Sequence, residues 1–123
     1  MASSESTKIL VVEDEFLVAM ELESILVAGG HEVLGPFSTV MAALAILEQC
    51  RPDAAVLDVN LRGESVAPVV QSLRRMDVPF VLATAYRADD LPDALRGAVN
   101  MGKPVDARSV IATLQKMLGG PTP

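Results

Sequence analysis

The chain is 123 residues long, half of it apolar and only 3% aromatic, with a formal net charge of −6. That length is one domain's worth, and the apolar fraction can build an aliphatic core. The acidic balance speaks against a nucleic-acid or anionic-membrane surface, both of which need clustered Lys and Arg. Cys50 is the single cysteine, which rules out an intramolecular disulfide and a cysteine metal cage. Residues 1–7 lack the basic start and apolar run of a signal peptide. No apolar run approaches the roughly 18 residues of a membrane helix, so a cytoplasmic location is expected.

In chain order, 1–7 reads as a disordered segment, 8–118 as one folded domain and 119–123 as a frayed tail. Lys8-Ile9-Leu10-Val11-Val12 predicts a strand that runs into three acids, Glu13, Asp14 and Glu15. Residues 16–28 carry Val18, Leu22, Ile25 and Leu26 at helical spacing, and Gly29-Gly30 stops that helix. Glu32–Pro36 is a weaker strand, suited to an edge by its proline. Ser38 is placed to cap a second helix with Val40, Ala43, Leu44 and Leu47 on one face. Ala54-Ala55-Val56-Leu57-Asp58 is a continuous apolar run ending in a carboxylate. Such runs are strands buried on both faces, from the middle of a parallel sheet.

Val66, Val69, Val70 and Leu73 line a third helix, with Pro68 tolerated in its first turn. Pro79–Ala83 is a fourth buried strand and ends at Thr84. Residues 86–97 hold at most a short helix. Ala98–Met101 is the expected fifth strand, broken by Gly102-Lys103-Pro104. Asp106 caps a last helix carrying Val110, Ile111, Leu114 and Leu118. Strands therefore start roughly 19 to 26 residues apart, close to the ~30 residues of a βαβ unit. Five βα units make a parallel, doubly wound sheet, with an expected strand order of 2-1-3-4-5.

The chemistry-bearing residues all follow strands: Glu13 and Asp14 the first, Asp58 the third, Thr84 the fourth, Lys103 the fifth. In a parallel sheet those ends share one edge, and in that strand order the crevice lies between strands 1 and 3. Acids gathered there repel, and one neutralises unless a cation is present. An all-oxygen set without His or Cys favours Mg²⁺. Lys103 adds a point charge and Thr84 a hydroxyl, both suited to phosphoryl oxygens, and a carboxylate is a competent nucleophile at phosphorus. Glu15 reads as a solvated acid and His31 as a surface residue.

From Lys8 to Leu118 this pattern resembles the receiver domain of two-component response regulators. The likeness rests on the acid pair after strand 1, Asp58, Thr84 and Lys103-Pro104. It implies a flavodoxin-like (βα)5 fold and no turnover enzyme: a signalling domain that catalyses only its own phosphorylation and dephosphorylation. It also implies that Asp58 accepts a phosphoryl group from a sensor histidine kinase or histidine phosphotransfer protein. Asp14, Asp58 and the Asn60 backbone carbonyl would hold Mg²⁺ (or Mn²⁺), with Glu13 acting through water. Thr84, the Ala85 backbone and Lys103 would bind the phosphoryl group, and Lys103–Pro104 would be a cis peptide. Output would pass to a protein partner through the face made by the fourth helix, fifth strand and fifth helix, with neither nucleic acid nor membrane involved.

The sequence departs from that family at two points. Glu13 stands where Asp is common. Asn100 stands where Tyr or Phe is common, three residues before the lysine. Tyr86 follows Thr84 by two, and the run Pro79–Tyr86 is similar to the single-domain "FAT GUY" subgroup, which makes Tyr86 the candidate aromatic switch. Three other readings compete with this one. A receiver-like module that binds partners without phosphorylation fits the odd Asn100. A phosphatase of the haloacid dehalogenase type wants a second Asp two residues on, where Asn60 stands. A nucleotide-binding Rossmann module wants a glycine-rich loop after strand 1, where acids stand.

Overall fold

A computed structural model describes residues 7–86, 90–103 and 105–119. Four parallel strands, β1 (Lys8–Val12), β2 (Glu32–Phe37), β3 (Ala54–Leu57) and β6 (Phe80–Leu82), form a sheet in the order β2-β1-β3-β6. Between β3 and β6 lies a small antiparallel hairpin, β4 (Asn60–Leu61) and β5 (Glu64–Ser65). The helices are α1 (Phe16–Ala28), α2 (Val40–Leu47), α3 (Ala67–Arg75) and α4 (Ala107–Met117).

The unbroken apolar strands are explained by covering on both faces. Leu10, Val12, Ala55, Leu57 and Leu82 pack on one side with Val40, Ala43 and Leu47 of α2 and Val69, Val70 and Leu73 of α3. Ile9, Val11, Ala54, Val56, Val81 and Ala83 pack on the other with Leu22 and Leu26 of α1 and Val110 and Leu114 of α4. Successive strand residues point to opposite faces, so each strand feeds two cores and needs apolar residues at every position. Thr39, one residue later than expected, caps α2 by accepting from the Ala42 amide at 3.2 Å. Asp106 caps α4 as expected, accepting from the Ser109 amide at 2.9 Å, and this bond holds its carboxyl below the ordinary carboxylate range.

The fifth strand is the main departure. Ala98–Met101 contributes one parallel bridge, Leu82 with Asn100, made by Leu82 N–H to the Val99 carbonyl (2.8 Å) and Met101 N–H to the Leu82 carbonyl (2.7 Å). Continuing that register would pair Thr84 N–H with the Met101 carbonyl. Instead Thr84 N–H donates to Asn100 Oδ1 at 3.2 Å, so the carboxamide ends the ladder where it begins. Val99 is 59% exposed, which removes the packing that favours a strand. In the fourth helical region the described residues include the 3-10 turn Asp93–Leu95. The expected cis peptide at Lys103–Pro104 and the tips of the two terminal segments lie outside the described residues.

β2 is an edge strand and contains Pro36. Its Gly35 has φ +105, and a Cβ there would sit 2.7 Å from Phe37 N and 2.9 Å from the Val11 carbonyl. Both a side chain and its backbone angle are thus excluded. Just beyond, the Phe37 carbonyl accepts from the Glu13 amide at 2.9 Å, so this close approach of β2 to β1 fixes where the first acid emerges. Gly35→Ala is expected to cost about 1–3 kcal/mol. It should lower the thermal midpoint clearly more than Gly30→Ala, a site with φ +90 but nothing within 4 Å.

Candidate functional site

The parallel register Val12↔Leu57 brings the ends of β1 and β3 side by side, and the Asp58 amide donates to the Val12 carbonyl at 2.9 Å. Glu13, Asp14 and Asp58 consequently converge, with carboxylate oxygens within 4.8 Å of one another. Glu13 is 2% exposed and Asp58 7%. Asp58 Oδ1 accepts from the Val59 amide at 2.7 Å, which fixes the side-chain rotation and leaves Oδ2 directed to Lys103 Nζ at 3.2 Å.

Lys103 is the central cation of the cluster. Its Nζ is 3.3 Å from both Glu13 oxygens, and it also pairs with Glu15. Glu15, read from sequence as a solvated acid, is therefore part of the charge balance, although its side chain remains 60% exposed. A second cation reaches in from the hairpin. Arg62 Nε lies 3.6 Å from Asp14 Oδ2. The turn that presents it, Arg62-Gly63, has φ +56 and +87, the pair of positive angles of a two-residue hairpin turn. Gly63 N–H donates to Asn60 Oδ1 at 2.6 Å. Nothing in the Asn-Leu-Arg-Gly run strongly signals such a hairpin, because Arg at positive φ is uncommon.

Four carboxylates facing one lysine and one exposed arginine are under-neutralised. The imbalance falls on Glu13. Burial pushes its carboxyl up, the Glu15 amide pulls it down, Asp58 pushes it up again and Lys103 pulls it down, leaving it raised to about 7. Burial works against the Lys103 ammonium, but its hydrogen bond to Glu15 and the charges of Asp58 and Glu13 outweigh that and hold it above the ordinary lysine range. Glu13 Oε1 is buried and faces the Lys103 ammonium at 3.3 Å but receives no hydrogen bond. A buried carboxylate oxygen without a hydrogen bond, inside an all-oxygen acidic cluster, fits a hard divalent cation.

On the other side of Asp58 the same groove is lined by Asn60, Thr84, Ala85, Tyr86 and Lys103. Thr84 is 2% exposed, and its Oγ1 accepts from the Tyr86 amide at 3.3 Å. The Tyr86 hydroxyl accepts from Asn60 Nδ2 at 3.1 Å. The structure thus assembles all the residues expected from sequence that lie in its described part. The contribution missed by sequence is that of Asn100, taken there only as a departure from a pattern. Its carboxamide accepts from Thr84 N–H and from Gly102 N–H at 2.9 Å and donates to the Tyr86 carbonyl at 3.1 Å. An Asn-x-Gly run after an apolar strand signals a side chain that bonds its own backbone two residues on, but not the reach to a neighbouring loop.

The sign of the pH response follows from Glu13. The folded protein holds this proton more tightly than the unfolded chain, whose carboxyl titrates near 4.5. The stabilisation is full below that pH and is lost as pH rises through about 7. Metal-free protein is therefore expected to lose thermal stability between pH 5 and pH 8, by about 3 kcal/mol at most. Glu13→Gln, which has no proton to lose, should flatten that part of the profile. Parallel profiles for the two proteins in EDTA would contradict the assignment.

Residues 9–115 match the response regulator receiver domain family. The phyllosphere-induced regulator PhyR of Methylorubrum extorquens is 33% identical over 122 residues, covering 96% of this chain and 46% of that protein. The chain spans about half the length of the curated relatives it matches. Among solved structures, SdrG from Sphingomonas melonis is 41% identical with a TM-score of 0.80, covering 94% of this chain and 98% of that one. A BeF3-activated conformation of SdrG aligns at 39% identity, with a TM-score of 0.77 over 96% and 99% of the two chains. The receiver domain of PhyR from Erythrobacter litoralis aligns over 99% of both chains, at 29% identity and a TM-score of 0.83. The parallel sheet with its acid cluster, and a match from the first strand into the last helix, place this chain in the family of response regulator receiver domains.

Proposed function

We propose that Asp58 accepts a phosphoryl group from a phosphohistidine on a sensor kinase or phosphotransfer protein, and that the resulting aspartyl phosphate is the signal. A carboxylate oxygen of Asp58 forms the new bond to phosphorus. The bond from phosphorus to the donor imidazole breaks, and the imidazole nitrogen keeps the electron pair. The observation that carries this reading is the geometry at Asp58. It is buried, its rotation is fixed by the Val59 amide, and it is paired at 3.2 Å with an ammonium able to follow the incoming oxygens.

Asp14, Asp58 and the Asn60 carbonyl, with Glu13 through water, are the groups that would hold Mg²⁺ or Mn²⁺. The ion would supply positive charge for the phosphoryl oxygens. Lys103 then balances the dianion, and Thr84 and the Ala85 backbone supply neutral donors. Thr84 is linked through its Oγ1 to Tyr86, so a movement of the hydroxyl carries to an aromatic residue that is 38% exposed. Tyr86 and Val99 are both exposed, which supports the face of the fourth helical region, the 98–101 segment and α4 as the output surface for a protein partner. No helix among the described residues is long and apolar enough to cross a membrane.

Incubation with acetyl phosphate and Mg²⁺ is expected to add one phosphate-sized increment to the intact mass. Asp58→Ala and an EDTA control should abolish it. Lys103→Met should reduce the yield severalfold or more, because an ammonium paired to the reacting carboxylate is lost. A gain that survives Asp58→Ala would overturn the assignment of the acceptor.

A further inference from the structure

Asn100 stands where the sheet gives out. A continued ladder would hold the segment after Thr84 against the segment before Lys103 through successive backbone bonds. Here one planar carboxamide does so. Oδ1 accepts from Thr84 N–H and Gly102 N–H, and Nδ2 donates to the Tyr86 carbonyl. The group therefore grips the backbone on both sides of Ala85 and, at its other end, the residue next to Lys103. An amide used at both ends is a rigid spacer, and a half-buried one exchanges its partners for water less readily than an exposed one.

The two segments it joins carry different parts of one oxyanion cradle. The first carries the Thr84 hydroxyl and the Ala85 backbone, the second the Lys103 ammonium. Their separation decides whether neutral donors and charge reach the same oxygens together, and donors act at full strength only when they are held in place beforehand. Glu13, Asp14 and Asp58 are instead set by β1 and β3, to which the Asn100 carboxamide makes no hydrogen bond. We propose that Asn100 is a positioning residue that holds the two halves of the phosphoryl-binding cradle in one frame, independently of the cation-binding acids. This rests on the phosphoryl-acceptor reading of Asp58.

Two substitutions separate its local from its bridging bonds. Asn100→Ala removes all three. Asn100→Ser keeps a short oxygen able to accept from Gly102 N–H two residues on, but it cannot span to Thr84 and Tyr86. The probe is beryllofluoride, a phosphoryl-shaped anion that binds a carboxylate, titrated in Mg²⁺ and followed by amide shifts in ¹H–¹⁵N spectra. Mg²⁺ is titrated alone through the Asp14 and Asp58 amides.

Both variants are expected to bind Mg²⁺ within twofold of the wild-type protein and to need at least tenfold more beryllofluoride. Equal weakening of Mg²⁺ and beryllofluoride would show a general structural role and overturn the proposal, as would wild-type beryllofluoride binding in Asn100→Ser. If Asn100→Ala does not fold, Asn100→Ser decides alone. A wild-type protein that ignores beryllofluoride in Mg²⁺ would overturn the acceptor reading itself and this proposal with it. A wild-type response that depends on Asp58 but is unchanged in the folded variants overturns only the role of Asn100.

Discussion

Like charges at the ends of two neighbouring strands are the constraint on which this site depends. Parallel pairing of β1 with β3 forces Glu13, Asp14 and Asp58 together, because each acid follows directly from a strand whose register is fixed by apolar residues on both faces. A one-residue slip would turn every core side chain to the wrong layer, so the repulsion cannot be relieved by sliding. It is relieved by the Lys103 ammonium, by Arg62 from the hairpin, and by a raised Glu13 carboxyl. The core thus does not merely support the site. It compresses charge there, and the resulting acid cluster could hold a cation.

The elements that compress the acids are the rigid ones, and those that answer the acids are less regular. Glu13, Asp14 and Asp58 are held by strands whose interior residues are fully buried. Thr84, Tyr86 and Lys103 sit after β6 and after a single bridge, where backbone bonds give way to side-chain bonds from Thr84 and Asn100. Segments held by few bonds open at low free energy. This division suits a receiver, in which the acceptor must stay fixed while the surroundings read its state.

Most of the fold was legible in the sequence because the central strands are extreme. Ala54–Leu57 has no polar residue, and only a strand covered on both faces tolerates that. The helices were legible from their spacing, although the α2 cap lies at Thr39 and not at Ser38. The fifth strand takes its expected place beside β6 but is cut to a single bridge, for a physical reason. Ala98-Val99-Asn100-Met101 looks extended, but its pairing is decided by a carboxamide that takes over the Thr84 amide, a competition no local pattern shows. Glu15 is legible only in part. Its exposure was read correctly, but its partner is 88 residues away, beyond the reach of any spacing rule.

The pairing of Lys103 with several acids also bears on how such a site can work at all. An ammonium fully committed to buried carboxylates could not follow an arriving phosphoryl group without leaving a bare charge behind, which is costly in a low-dielectric interior. Here one partner, Glu15, is mostly exposed and readily resolvated, and an exposed pair of this kind contributes little. Releasing Glu15 frees part of the ammonium's donor capacity while Asp58 Oδ2 and Glu13 keep it in place. With Asp58 as the proposed acceptor, the outer acid would serve as a placeholder for the anion, while the inner acids keep the lysine within reach of Asp58.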